Sequence, residues 1–280
     1  MTDFVVHAED GTPIQVQIRG EGPALVLLHG WTAGPEDWQP AVSRLSRHFR
    51  CITWRARPHA EPVDPGIEPM AGDLRSLVEQ LGLRRPLVAG HSMGAMVVLE
   101  HLRQFGAAHI GGIVLIDQSP RLLTAPDWPL GLWGGFTEAD NRRYLQALRT
   151  DFPEAVLDLI AHSRITDGGG PGPGIMRIFL EARRQRLEAL PPEPWIRAWE
   201  SFIGKDYRDL LPAVTVPTLL VFGALSRYYG RTVAEYMRRH IPNARLHVYP
   251  DAGHAPHVED PRRFVDDLLA FASTAAGTRA

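Results

Sequence analysis

The apolar stretch Pro86-Leu87-Val88-Ala89 runs directly into Gly90-His91-Ser92-Met93-Gly94, and that turn runs into the helix-period segment Ala95 to Phe105. A strand that becomes a helix across so short a turn forces strained φ/ψ on the central serine. Its Oγ is pushed out at the carboxyl edge of a sheet, and the flanking positions are glycine because Cβ atoms there would collide. Taken alone, G-x-S-x-G arises often by chance. Set between a strand and a helix, it specifies a nucleophile-bearing turn at Ser92 and, with it, a sheet of parallel strands joined through helices.

The rest of the chain keeps that rhythm. Phe4 to His7 and Ile14 to Arg19 flank Gly11-Thr12-Pro13 and read as a hairpin. Continuous apolar runs follow at Ala24 to Leu28, Cys51 to Trp54, Leu87 to Ala89, Ile113 to Ile116, Leu219 to Phe222 and Leu246 to Tyr249. Helix-period segments separate most of them, the pattern of a mostly parallel sheet covered on both faces. Between about Arg121 and Leu211 the strand signal stops and helical patterns take over, at Glu138 to Arg149, Glu154 to Ile165, Ile175 to Leu190 and Trp195 to Ile203. The expected organisation is a core of residues 1–120 and 211–280 with a helical cap, 121–210, inserted after a strand. Asp167-Gly168-Gly169-Gly170-Pro171-Gly172-Pro173-Gly174 is too rich in glycine and proline for either element and reads as a mobile loop between cap helices. Thr274 to Ala280 reads as a frayed tail.

With 280 residues, 44% of them hydrophobic, the chain suits one large domain carrying an insertion. A formal charge of −2 offers no basic field for a nucleic-acid backbone. No stretch reaches the roughly 18 apolar residues of a membrane span. Of the 30 basic residues only Lys205 is a lysine, a bias that a GC-rich coding sequence explains. Cys51 is the only cysteine and sits in an apolar run, and the N-terminus lacks the basic and apolar regions of an export signal, so the cytoplasm is the expected location. The His and Cys positions offer no ligand-spaced pair, and the only Gly-rich segment is the cap loop rather than a strand-to-helix turn. No metal or organic cofactor is expected, and the partner is a small-molecule substrate.

After the last strand comes Asp251-Ala252-Gly253-His254-Ala255-Pro256, where small residues suit a loop that carries an imidazole to a neighbouring strand end. His254 is the candidate general base. His7, His48, His101, His109, His162 and His240 have nothing to pair with and read as structural or surface residues. His29-Gly30-Trp31 closes the third strand. An N–H of that loop, with the N–H of the residue after the nucleophile, makes an oxyanion hole in this architecture, which nominates the Trp31 and Met93 amides. His29, Gly30 and His91 are expected to line the substrate site beside them. The competing reading is that Gly30 only turns the chain and Trp31 only packs.

With elbow, His-Gly loop, cap and terminal histidine in order across nearly the whole chain, the sequence resembles the α/β-hydrolase superfamily. The His29-Gly30-Trp31 opening, the His254-Ala255-Pro256 ending and the four-helix cap are similar to the small capped carboxylesterases typified by the pimeloyl-carrier methyl ester esterases. The resemblance implies a third residue, an acid, in a Gly-x-x-Asp turn after the strand that follows the cap. Here Leu219 to Phe222 leads into Gly223-Ala224-Leu225-Ser226-Arg227-Tyr228-Tyr229-Gly230, with Ser226 in that place and no carboxylate before Glu235, already on a helix. A serine can orient an imidazole but cannot stabilise the imidazolium. Asp117 is the best replacement: it ends the strand Gly112 to Ile116, adjacent strand ends lie about 5 Å apart, and some members of the superfamily place the acid there. Its competing reading is a turn or N-cap residue in Asp117-Gln118-Ser119-Pro120, with Arg121 able to neutralise it. A second departure follows Cys51 to Trp54, where relatives carry Asp-x-Arg-Gly-x-Gly and this chain has Trp54-Arg55-Ala56-Arg57-Pro58-His59-Ala60. The Trp54-Arg55 pair and the displaced acid are similar to the cofactor-independent quinolone dioxygenases.

The leading expectation is hydrolysis of an ester or thioester in a small, largely apolar substrate. Ser92 attacks, His254 takes and returns its proton, Asp117 orients His254, and the Trp31 and Met93 amides hold the oxyanion. Trp128, Trp133, Phe136, Trp195, Trp199 and Phe202 point to an apolar pocket under the cap, with Trp128 and Trp133 expected to touch substrate, although cap helices also need aromatics to pack on one another. The alternatives are a lactonase, an acyltransferase or cyclase of a biosynthetic pathway, a cofactor-free dioxygenase, and a catalytically silent binding module.

Overall fold

The computed structural model describes residues 2–60, 63–165 and 173–277. Eight strands, β1 (Thr2–His7), β2 (Pro13–Arg19), β3 (Ala24–Leu28), β4 (Arg50–Trp54), β5 (Leu87–His91), β6 (Gly112–Ile116), β7 (Thr218–Gly223) and β8 (Ala244–Tyr249), form one sheet. The helices are α1 (Gln39–Leu45), α2 (Ile67–Gln80), α3 (Met93–Phe105), α4 (Glu138–Thr150), α5 (Phe152–Ala161), α6 (Pro173–Glu188), α7 (Pro192–Ile203), α8 (Arg231–His240), α9 (Pro256–Glu259) and α10 (Pro261–Gly277). The sheet order is β1-β2-β4-β3-β5-β6-β7-β8. The β1–β2 hairpin and the β2–β4 pair are antiparallel, and every other neighbour is parallel. This is the α/β-hydrolase fold expected from the sequence.

The order explains where a ligand can bind. The chain lays β4 on one side of β3 and then crosses back to lay β5 on the other, so the crossovers diverge above the carboxyl ends of β3 and β5. Such a reversal leaves a crevice, and open α/β sheets bind their ligands there.

The central strands β3 to β7 are buried on both faces, which is why they read as unbroken apolar runs, whereas β1, β2 and β8 at the sheet's margins keep exposed positions. Leu25 and Leu27 of β3 point into one cluster with Trp38, Leu45, Phe264 and Leu268, while Val26 and Leu28 point into another with Leu74, Met96 and Leu99. The same alternation recurs in β6, with Val114 and Ile116 on the first side and Ile113 and Leu115 on the second.

Helices α4 to α7 occupy the connection between β6 and β7. Among the described residues they show no apolar centre of their own: Leu148, Phe152, Val156, Trp195 and Trp199 belong to the same continuous cluster as Val26 and Ile113. Two details depart from expectation. Helix α5 ends at Ala161 rather than Ile165, because the chain turns there to dock on the loop after β7, with the Ile165 N–H donating to Leu225 O at 2.8 Å and Arg164 bridging to Ser226. The segment from Thr274 continues α10 to Gly277, where the Thr274 hydroxyl donates to Phe271 O. Residues 167–172 of the Gly/Pro-rich loop lie outside the described residues, as do 278–280. No helix among the described residues is long and apolar enough to cross a membrane.

Candidate active site

Ser92 stands between β5 and α3 with φ 52° and ψ −120°, a conformation a non-glycine residue holds only where its surroundings impose it. Its neighbours impose it by close approach. A Cβ on Gly90 would lie 2.3 Å from Gly94 O, and one on Gly94 would lie 2.3 Å from Leu28 O, so neither position accepts a side chain. The Ser92 N–H donates to Ile116 O at 3.1 Å and pins the turn to the end of β6. The first amide of α3, Met93 N–H, and the Trp31 N–H after β3 have no hydrogen-bond partner among the described residues. Free amides at a helix start beside a nucleophile suit a developing oxyanion.

The end of β6 carries Asp117, fully buried and, like Ser92, at positive φ (44°). Its Oδ2 accepts from His254 Nδ1 at 2.7 Å and from Ser226 Oγ at 2.6 Å, and its Oδ1 accepts from the Gly223 N–H at 3.1 Å. Asp117 therefore does not cap a cap helix. Ser226, where the resemblance implies an acid, donates to the carboxylate at the end of the neighbouring strand. Burial raises the Asp117 carboxyl well above its ordinary value, and the Ser226 and Gly223 donors oppose it by favouring the carboxylate. Burial lowers His254 to about 3, so its imidazole is neutral at physiological pH and can accept a proton.

The loop that bears His254 is held on three sides. Glu259, in α9, takes the N–H groups of Gly253 (3.0 Å) and Ala255 (3.2 Å) on either side of it and pairs with Arg164. His91 Nε2 donates to the His254 carbonyl at 2.9 Å. The Tyr228 ring meets the His254 ring edge-on at 4.4 Å, with its hydroxyl tied to Leu159 O. Sequence patterns do not mark Glu259 and Tyr228 as site residues. Their only signals were a carboxylate one helical turn after His254 and a tyrosine pair in the loop that departs from the family pattern.

Ser92, Met93, Gly30, Trp31, His91 and His254 all line one cavity of about 620 Å³, whose apolar walls include Leu122, Leu132, Val156, Leu159, Trp199 and Phe202. Three expected contacts lie elsewhere. His29 is buried behind the loop, where Nδ1 donates to Gly30 O at 2.9 Å and Nε2 accepts from the Ala56 N–H at 3.2 Å. With both nitrogens used, it braces the loop rather than meeting substrate. Trp128 packs edge-on against Tyr236 and donates to Arg121 O, away from the cavity. Trp133 is partly exposed and supports Tyr228 from outside, with ring centroids 5.9 Å apart. Trp54 is in the apolar core, and Arg57 makes a bidentate pair with Asp73 and a second with Asp10, so that stretch serves the scaffold.

An elbow serine over a crevice at the sheet's reversal, with imidazole and carboxylate delivered from adjacent loops, defines an α/β enzyme of the nucleophile-elbow class. The family model described as "Alpha/beta hydrolase family" matches residues 25–267, and the chain belongs to that family. It is 26% identical over 269 residues to a pimeloyl-[acyl-carrier protein] methyl ester esterase of Vibrio vulnificus (strain CMCP6), covering 93% of this chain and 98% of that protein. It is 27% identical over 277 residues to a non-heme haloperoxidase of Rhodococcus erythropolis, covering 95% and 98%. The fold is similar to that of an esterase from Exiguobacterium antarcticum, with a TM-score of 0.86 at 23% identity over 97% of this chain and all of that one.

Proposed function

We propose that this chain hydrolyses an ester or thioester of a small, largely apolar substrate through an acyl-Ser92 intermediate, in the cytoplasm. The observation that carries the reading is the 2.7 Å hydrogen bond between His254 and Asp117 in the same site as an elbow serine. Relatives described as esterases support it. Ser92 Oγ attacks the carbonyl carbon while His254 takes the hydroxyl proton. The Trp31 and Met93 amides hold the oxyanion, and Asp117 stabilises the imidazolium that forms. Collapse expels the alcohol or thiol, which leaves with the proton from His254. Water then attacks the acyl-enzyme by the same route in reverse roles. A single buried cysteine, its thiol pushed up to about 12 by desolvation, fits a reducing compartment.

A fluorophosphonate tests the reading. Intact-mass measurement is expected to show one adduct, mapped to Ser92, and Ser92→Ala is expected to lose both labelling and at least about 10⁴ in kcat. Wild-type turnover in that variant, especially with oxygen uptake on a hydroxyquinolone, would replace acyl transfer with cofactor-free oxygenation.

A further inference from the structure

Among the apolar walls of the cavity stands one buried cation with no full counter-charge. Arg183, on α6, has a side chain only 10% exposed, and its Nη2 donates to Thr32 O at 2.9 Å and Thr32 Oγ1 at 3.0 Å. Both acceptors are neutral. Its nearest carboxylate oxygen, Asp37 Oδ2, is 3.8 Å from Nη1, beyond hydrogen-bond length, and Asp37 is already engaged by Arg186 at 3.0 Å. Glu36 is likewise engaged by Arg186, at 2.5 Å, with Arg55 no nearer to it than 3.8 Å. At this end of the cavity three guanidinium groups face two carboxylates, and the cation left over is the most buried of the three. Other charges on the lining do not change that balance. Arg164 and Glu259 neutralise each other beside the His254 loop, and Asp251 is exposed.

A buried charge is costly unless it is paired, and a guanidinium is a planar fork matched to a carboxylate. The Nε and Nη1 groups have no hydrogen bond among the described residues, and Arg183 lines the same cavity as Ser92. We propose that Arg183 receives a free carboxylate of the substrate, so that the preferred ester carries an anionic group at the far end of an apolar chain from its scissile bond. The inference rests on the ester-hydrolase reading and names the substrate class of that site.

The test compares 4-nitrophenyl monoesters of the straight-chain diacids from succinic to suberic with matched esters whose free end is a carboxamide, the same shape without the charge. For at least one chain length the wild type is expected to favour the acid in kcat/KM by about tenfold or more, mainly through KM. Arg183→Met should abolish that ratio, and Arg183→Lys should keep part of it. No preference for the acid at any length overturns the proposal. So does an equal loss on both series in Arg183→Met, which would make Arg183 a brace for Thr32 only. Calorimetric binding of adipate and suberate to Ser92→Ala protein separates this from the reading beneath it. Diacid binding that Arg183→Met weakens supports the carboxylate site even if no ester turns over, and absence of binding by either diacid overturns it.

Discussion

Asp117 and Ser226 come from neighbouring strands and meet beside His254, with 2.6 Å between the Ser226 hydroxyl and the carboxylate oxygen that accepts from His254 Nδ1. A carboxylate at position 226 is therefore expected to reach the same imidazole. Asp117→Asn is expected to lower kcat by about 10⁴, as the corresponding change does in a serine protease. Adding Ser226→Asp to that variant should restore a measurable part of the loss, and a double variant no faster than the single one would show that the geometry of the acid is not shared. Ser226→Ala removes one donor from a charged acceptor, worth about 1.5–3 kcal/mol, so kcat should fall by about ten- to a hundredfold, far less than for Asp117→Asn. It also pushes the Asp117 carboxyl further up, and the acid limb of the pH–rate profile should move to higher pH; a limb that stays in place would mean Ser226 is not felt by the acid. Asp117 could be found in the sequence because the ends of adjacent strands are a short reach apart. Arg183 and Tyr228 could not, since helical periodicity and loop composition do not say which side chain faces a cavity. Trp128 and Trp133 show the same blindness in reverse: an aromatic residue in a cap is as useful to packing as to binding.

Among the elements, the central strands β3 to β7 are the most legible, because each is buried on both faces and bounded by turns, and β2 is legible by its alternation instead. Helix α5 is shorter than its apolar period implies, since the last turn of that pattern finds hydrogen-bond partners across the fold, on the loop after β7, that no local pattern encodes. The elbow was legible in full because its glycines are dictated by backbone contact. That gives a prediction for the element: Gly90→Ala puts a methyl group 2.3 Å from a backbone oxygen that cannot move without shifting α3. The variant should lose about 4 kcal/mol or more, read as a fall in soluble yield and in urea midpoint, and a variant as stable as the wild type would show that the turn is slack.

Over the whole molecule, burial sets the pH range of stability. His29 is lowered to about 3, and His59 and His101 to about 4, in each case chiefly by desolvation, against an ordinary value of 6.5. A lowered folded-state value means that the unfolded chain binds more protons below 6.5, so stability is complete above that pH and is lost as pH falls toward the folded values. These three imidazoles contribute about 5 kcal/mol of difference between pH 7 and pH 5, to which His254, lowered to about 3, adds and which Asp73, raised to about 6 by burial, opposes, and melting followed by circular dichroism should show the midpoint drop by about 10 °C over that interval. A midpoint that does not fall would place these imidazoles in contact with water. The apolar cluster that runs without interruption from Val26 and Ile113 to Trp195 and Trp199 has a further result. A helical insertion with no centre of its own is not a transferable part: exchanging it with a relative's would bring in only half of an interlocking surface, so new specificity is better sought by changing single side chains along the cavity wall than by grafting whole caps.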